Sequence, residues 1–244
     1  MPSIRILGRL LGSNLRLIAF GFVTCALIIN IQGCGGPPME PWHTERLTEE
    51  FTADMTDEIQ TFDDYRKLEN RLFAQLEEKV YARIPTGLEY ALVRYSAGSA
   101  ADPQPRRPNW NRSFEFTSDQ PVGGVLLLHG MSDSPYSLRV LGQTLRQRDY
   151  WVIGLRLPGH GTAPSGLKYV KWQDMAAAVR LAVAHLASKV GKKPIHLVGY
   201  SNGAPLTLNY TLDALEDDDL GVPASLELLS PSIGLHPAAA LARW

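Results

Sequence analysis

Between residues 124 and 229 four short aliphatic runs alternate with three helix-patterned stretches, and that alternation admits few architectures. The runs cover residues 124–128, 151–155, 195–198 and 226–229. Each is too short for a typical helix, and the first is the continuous apolar kind found in strands buried on both faces. Residues 134–146, 172–190 and 204–215 instead carry apolar side chains at helical spacing. Strands separated by helices at this pitch predict an α/β domain with a mainly parallel sheet flanked by helices.

The third run leads into Gly199-Tyr200-Ser201-Asn202-Gly203, and a helical stretch follows at once. A strand-to-helix corner this tight brings its two flanks too close for Cβ atoms, so both are glycine. The corner strains the backbone at Ser201 and presents its hydroxyl over the carboxyl edge of the sheet, at the positive end of the next helix. The first run ends in Leu128-His129-Gly130-Met131. Two backbone N–H groups aimed at one point make an oxyanion hole, and the natural pair is Met131 with Asn202. The second run ends in Arg156-Leu157-Pro158-Gly159-His160-Gly161-Thr162, a glycine-rich loop at the same edge. His129 and His160 are read as local organisers of their loops rather than as bases. His185, in a helix, and His196, in a strand, are read as structural, and His43 has no assignable partner.

From about Tyr90 onward these motifs resemble, in sequence, order and spacing, the α/β-hydrolase superfamily. The similarity is greatest to its monoacylglycerol-lipase-like, carboxylesterase and serine-aminopeptidase branch. The resemblance implies a partial α/β-hydrolase fold in which Ser201 attacks the carbonyl of a lipid-like or acyl ester to give an acyl-enzyme. Met131 and Asn202 would form the oxyanion hole, with Gly130, Gly199 and Gly203 shaping the two turns. The family pattern places the triad acid and then the histidine after later strands. Asp213, Asp217, Asp218 and Asp219 fall in or after the helix that follows Ser201 and read as a solvated turn. His236 is the only histidine beyond the nucleophile. The expectation is therefore a truncated hydrolase, lacking acid and base, inactive alone, and poorly soluble because its last strand lies at an open edge. A non-catalytic binding module of the same fold and a serine peptidase remain the alternatives.

The N-terminal third reads differently. Arg5, Arg9 and Arg16 precede an apolar run over residues 17–31, which closes on Ile31-Gln32-Gly33-Cys34. This arrangement is similar to a bacterial lipobox, which implies cleavage, lipidation of Cys34 and anchoring on the outer side of a bacterial envelope membrane. The other reading is an uncleaved anchor helix. Cleavage removes Cys25 and the three arginines and takes the net charge from -1 to -4. A short Gly/Pro tether follows. Residues 44–83 then repeat apolar side chains every three or four positions, which predicts a helical pair, with Thr61 and Asp64 placed to cap the second helix. That pair is either packed on the main domain or free to act as a lid or partner-binding arm. Residues 98–108, including Arg106 and Arg107, read as a loop. The predicted organisation is 1–33 signal peptide or anchor, 34–89 tether and helices, and 90–244 hydrolase-like domain.

Composition removes other classes. With 45% hydrophobic and 20% charged residues the chain buries a core rather than staying disordered. A net charge of -1 gives no electrostatic footprint for nucleic acid. Two cysteines and scattered histidines offer no metal-ligand set. Gly33-Cys34-Gly35-Gly36 follows no strand and so is no phosphate loop. No cofactor is expected; the expected partners are a small ester substrate and a membrane.

Overall fold

In the computed structural model, which describes residues 18, 20–25, 38–105 and 109–234, all four aliphatic runs are strands of one five-stranded sheet. They are β2 (Gly123–Leu128), β3 (Tyr150–Leu155), β4 (Ile195–Tyr200) and β5 (Ser225–Leu229). A fifth strand, β1 (Phe114–Phe116), was not legible in the sequence pattern. The spatial order is β1-β3-β2-β4-β5. All neighbours are parallel except β1, which runs antiparallel along β3. Gly154 faces Phe114 in that register, and a Cβ there would overlap the phenyl ring, so the glycine makes room for the added strand.

Four α-helices matter for the argument: α1 (Phe62–Lys79), α2 (Arg139–Arg146), α3 (Trp172–Val190) and α4 (Gly203–Glu216). Alternation along the strands sorts the core into two layers. Leu126, Leu128, Ile153, Leu155 and Leu197 pack with α1, α3 and α4. Val125, Leu127, Val152 and Val198 point the other way, toward Phe114, Leu138 and Leu145. The chain runs from β2 to β3 on one side, then crosses to β4 on the other side of β2. The direction of winding therefore reverses beside β2, and open sheets of this kind hold their ligands at the carboxyl ends of the strands at such a reversal.

The predicted helical pair over residues 44–83 is only half realised. Thr61 does cap α1, its hydroxyl oxygen accepting from the Asp64 N–H at 3.1 Å. Upstream of it, residues 45–60 contain no α-helix, only a 3-10 turn at Ala53–Met55. Tertiary bonds override the helical period there. The Ala53 N–H donates to Asp174 at 2.8 Å, Glu50 turns inward to Arg156, and Phe51 packs edge-on to Tyr65. Phe51 and Ile59 still reach the core, from an irregular chain.

Residues 1–40 and 41–244 are separate compact units, so the arm from 41 to 112 belongs with the sheet. In the first unit residues 20–25 are helical and Cys25 is an exposed free thiol. Cys34, the lipobox-like stretch, Arg106, Arg107 and His236 lie outside the described residues. No described helix is long and apolar enough to cross a membrane.

Candidate active site

The turn between β4 and α4 has the form its sequence requires. Ser201 sits at φ 50°, a left-handed conformation that a residue with a Cβ seldom adopts. Three hydrogen bonds brace it: the Ser201 N–H donates to Leu229 at 2.9 Å, and the Ser201 carbonyl accepts from Ala204 at 3.1 Å and from Ser232 at 3.2 Å. The flanking glycines are steric necessities. A Cβ on Gly199 would lie 2.5 Å from the Ala204 Cα, and one on Gly203 would overlap the Leu128 carbonyl oxygen.

That second approach brings the end of β2 against the turn. A Cβ on Gly130 would lie 3.2 Å from the Ser201 Cβ, so the His129-Gly130-Met131 stretch passes directly beside the serine. The backbone N–H groups of Met131 and Asn202 donate to no other group among the described residues. Met131 is exposed and Ser201 half-buried, so the place where they meet is open to solvent. Beside Asn202 a cleft of about 310 Å³ is lined by Trp172, Met175, Asn202, Pro205, Leu206 and Asn209.

His129 is fully buried and both ring nitrogens are engaged. Nδ1 lies 2.9 Å from the Gly130 carbonyl, and Nε2 accepts from the Leu157 N–H at 3.1 Å. A carbonyl only accepts and an N–H only donates, so the imidazole is the neutral Nδ1–H tautomer. Burial pushes its pKa from 6.5 down to about 3, against the opposing effect of the Gly130 hydrogen bond. His160 is likewise held below the ordinary histidine value by burial, and its Nδ1 bonds the Pro158 carbonyl at 2.8 Å. His185 bonds Glu115 at 2.8 Å and His196 bonds Ser225 at 2.9 Å. His43 accepts from Trp42 Nε1 at 3.0 Å, a partner the sequence did not disclose. None of these five histidines hydrogen-bonds Ser201, and the Ser201 hydroxyl has no partner among the described residues.

The loop after β3 rests on a buried ionic network that the sequence did not reveal. Arg156 is 1% exposed. Its guanidinium donates to both oxygens of Glu50 at 3.0 and 2.9 Å, and Nε donates to Glu69 at 2.9 Å. Burial alone would lower its pKa, but the two carboxylates hold it above the ordinary arginine value. Glu50 also accepts from the Gly159 N–H at 2.9 Å, and the Tyr65 hydroxyl donates to the Arg156 carbonyl at 2.7 Å. The available signal was a charged residue opening a glycine-rich loop directly after an apolar strand, where a buried cation needs an acid. The described residues contain no cluster of His, Cys, Asp or Glu able to hold a metal ion.

The family described as "Serine aminopeptidase, S33" matches residues 119–244. Over 93 residues the chain is 33% identical to a thermostable monoacylglycerol lipase of Bacillus sp. (strain H-257), covering 38% of this chain and 36% of that protein. Among solved structures it is similar to a metagenome-derived lipolytic enzyme, at 24% identity and a TM-score of 0.48 over 55% of this chain and 52% of that one. It is also similar to a monoglyceride lipase of Saccharomyces cerevisiae, at 20% identity and a TM-score of 0.45 over 54% and 44%. The chain thus spans about a third of the curated relative and about half of these structures. With its match covering strands β2 to β5 and the Ser201 turn, just over half of the chain, the chain belongs to the serine aminopeptidase S33 family of α/β-hydrolases.

Proposed function

We propose that this chain carries the nucleophile and oxyanion hole of a serine hydrolase that cleaves carboxylic esters with lipid-like acyl groups. The observation that carries the proposal is the meeting of Ser201, strained at φ 50°, with the Gly130-Met131 stretch, beside two backbone N–H groups that nothing else uses. Attack by the Ser201 hydroxyl on an ester carbonyl puts negative charge on the carbonyl oxygen. Donors held ready at Met131 and Asn202 stabilise that charge as it forms, which is where such a site gains most of its rate. The apolar side chains of the cleft beside Asn202 suit an acyl chain, and the lipase similarity supports the same substrate class.

The hydroxyl needs a base, and none of the five described histidines supplies it. The acid and base of this reading come from outside the described residues, so residues 41–234 on their own are expected to be inactive. The test is labelling by a fluorophosphonate probe in the protein expressed from its complete native reading frame. Labelling that disappears in Ser201→Ala supports the nucleophile; no labelling of the unaltered protein ends the proposal and favours a non-catalytic binding module. The family's description favours a second reading, peptide cleavage by the same serine. Comparing nitrophenyl esters with aminoacyl nitroanilides separates the two.

For location, the proposal is a lipid anchor at Cys34 on the outer side of a bacterial envelope membrane. Incorporation of a labelled fatty acid, abolished in Cys34→Ser, would support it, and incorporation unaffected by that change would refute it.

A further inference from the structure

The N-terminal arm lies outside the part of the chain that matches the family, yet its Glu50 reaches the loop beside the catalytic turn. We infer that Glu50 is a positioning residue for the oxyanion hole, acting through Arg156 and His129 on the peptide that joins Gly130 to Met131.

Each link is a hydrogen bond between buried or half-buried groups. Glu50 takes both terminal nitrogens of Arg156 and the N–H of Gly159, so it clamps the two ends of the 156–159 turn. Arg156 in turn donates to the carbonyls of Leu157 and His160 at 3.3 and 3.0 Å, which stiffens the same turn from inside. The Leu157 N–H donates to His129 Nε2 and fixes the imidazole as the Nδ1–H tautomer. Nδ1–H then donates to the Gly130 carbonyl. That carbonyl and the Met131 N–H belong to one planar, trans peptide unit and point in opposite directions. Whatever holds the oxygen therefore aims the N–H. The Met131 N–H has no other bond to orient it among the described residues, so its direction rests on this chain.

Glu50 and Glu69 are not equivalent. Both neutralise Arg156, but only Glu50 also holds the Gly159 N–H; Glu69 turns instead to Ser113, whose hydroxyl accepts from the Arg156 N–H. In Glu50→Gln the guanidinium keeps one carboxylate, so the fold is expected to survive while the turn loosens.

The inference rests on the esterase reading for its kinetic consequence but not for its structural one, and the experiment separates the two. In the protein from its complete reading frame, Glu50→Gln is compared with Glu49→Gln, whose side chain pairs with Arg71 on the exposed side of the arm. An oxyanion donor acts in the transition state, so kcat for a nitrophenyl ester should fall about tenfold in Glu50→Gln with KM within about twofold. In ¹⁵N-labelled protein the Gly130 and Met131 amide signals should move in Glu50→Gln and stay in place in Glu49→Gln. The side-chain amide of Asn can stand in for Nδ1 and that of Gln for Nε2, so His129→Asn should retain more of kcat than His129→Gln. An unchanged kcat, or amide signals that move no more than in Glu49→Gln, overturns the inference. If the unaltered protein hydrolyses no ester, the esterase reading fails and the amide signals alone decide. Should Glu50→Gln not fold, the two His129 variants decide, and equal kcat in both overturns it.

Discussion

At the scale of single residues, the site is built from groups denied their ordinary freedom. Gly203 is hemmed in by the Leu128 and His129 carbonyls, which are backbone and cannot rotate away. Gly203→Ala must push β2 and the Ser201 turn apart. The expected loss is about 1–3 kcal/mol, read from urea unfolding, with probe labelling of Ser201 lost more completely than the fold. His129 makes a pH prediction of definite sign. In the unfolded chain it takes up a proton below about pH 6.5, but folded it stays neutral down to about pH 3. Between those limits the unfolded state binds more protons, so folding stability falls as pH falls, by about 1.4 kcal/mol per pH unit. His160, lowered for the same reason, acts in the same direction. Unfolding at pH 5 should therefore show about 2 kcal/mol less stability from His129 than at pH 7, and His129→Gln should flatten that difference. A slope unchanged in the variant would contradict the neutral buried imidazole.

At the scale of elements, α1 and the irregular segment before it lock the arm onto the sheet. Tyr65 spans the junction: its ring packs against Phe51 and Phe62, and its hydroxyl bonds the Arg156 carbonyl across 91 positions of sequence. Tyr65→Phe keeps the packing and leaves a buried carbonyl without that donor. A cost of about 1–3 kcal/mol is expected, whereas Thr61→Ala, which removes only the exposed cap, should cost about 1 kcal/mol. Reversal of that order in chemical denaturation would mean the arm is peripheral. What the sequence discloses follows the same division. Strands β2 to β5 and the Ser201 turn are local: aliphatic runs, a glycine pair and a helix start within a few residues of each other. The cap at Thr61 is local too. β1 has three residues, too few to show an alternation, and forms because Phe114 finds the gap at Gly154. Helical spacing at Leu47, Phe51, Met55 and Ile59 misleads because the chain there satisfies its polar groups on distant partners. Glu50 is 106 positions from Arg156, and no periodicity reports a pairing at that range.

At the scale of the whole molecule, the two margins of the sheet are unlike. The β1 margin is three residues long and guarded by charge, with Arg66 paired to Glu115 and the Arg139 guanidinium lying over Phe114 and Phe116. The β5 margin has one neighbour, β4, and among the described residues nothing pairs its far side. Leu226 and Leu228 are only half-buried and Leu229 is 41% exposed. An unpaired strand with leucines on both faces is a template for another copy, and the net charge of -3 on residues 41–244, 21 Lys and Arg against 24 Asp and Glu, supplies little repulsion to keep copies apart. Residues 41–244 expressed alone are therefore expected to associate through β5 and to elute broadly in size exclusion with light scattering. Leu229→Lys places a charge on that margin while leaving intact the Leu229 carbonyl that braces Ser201, so it should raise the monomer fraction severalfold without disturbing the turn. If the unaltered protein runs as one sharp monomer peak and melts in a single cooperative step, the β5 margin is already satisfied and this account of it fails.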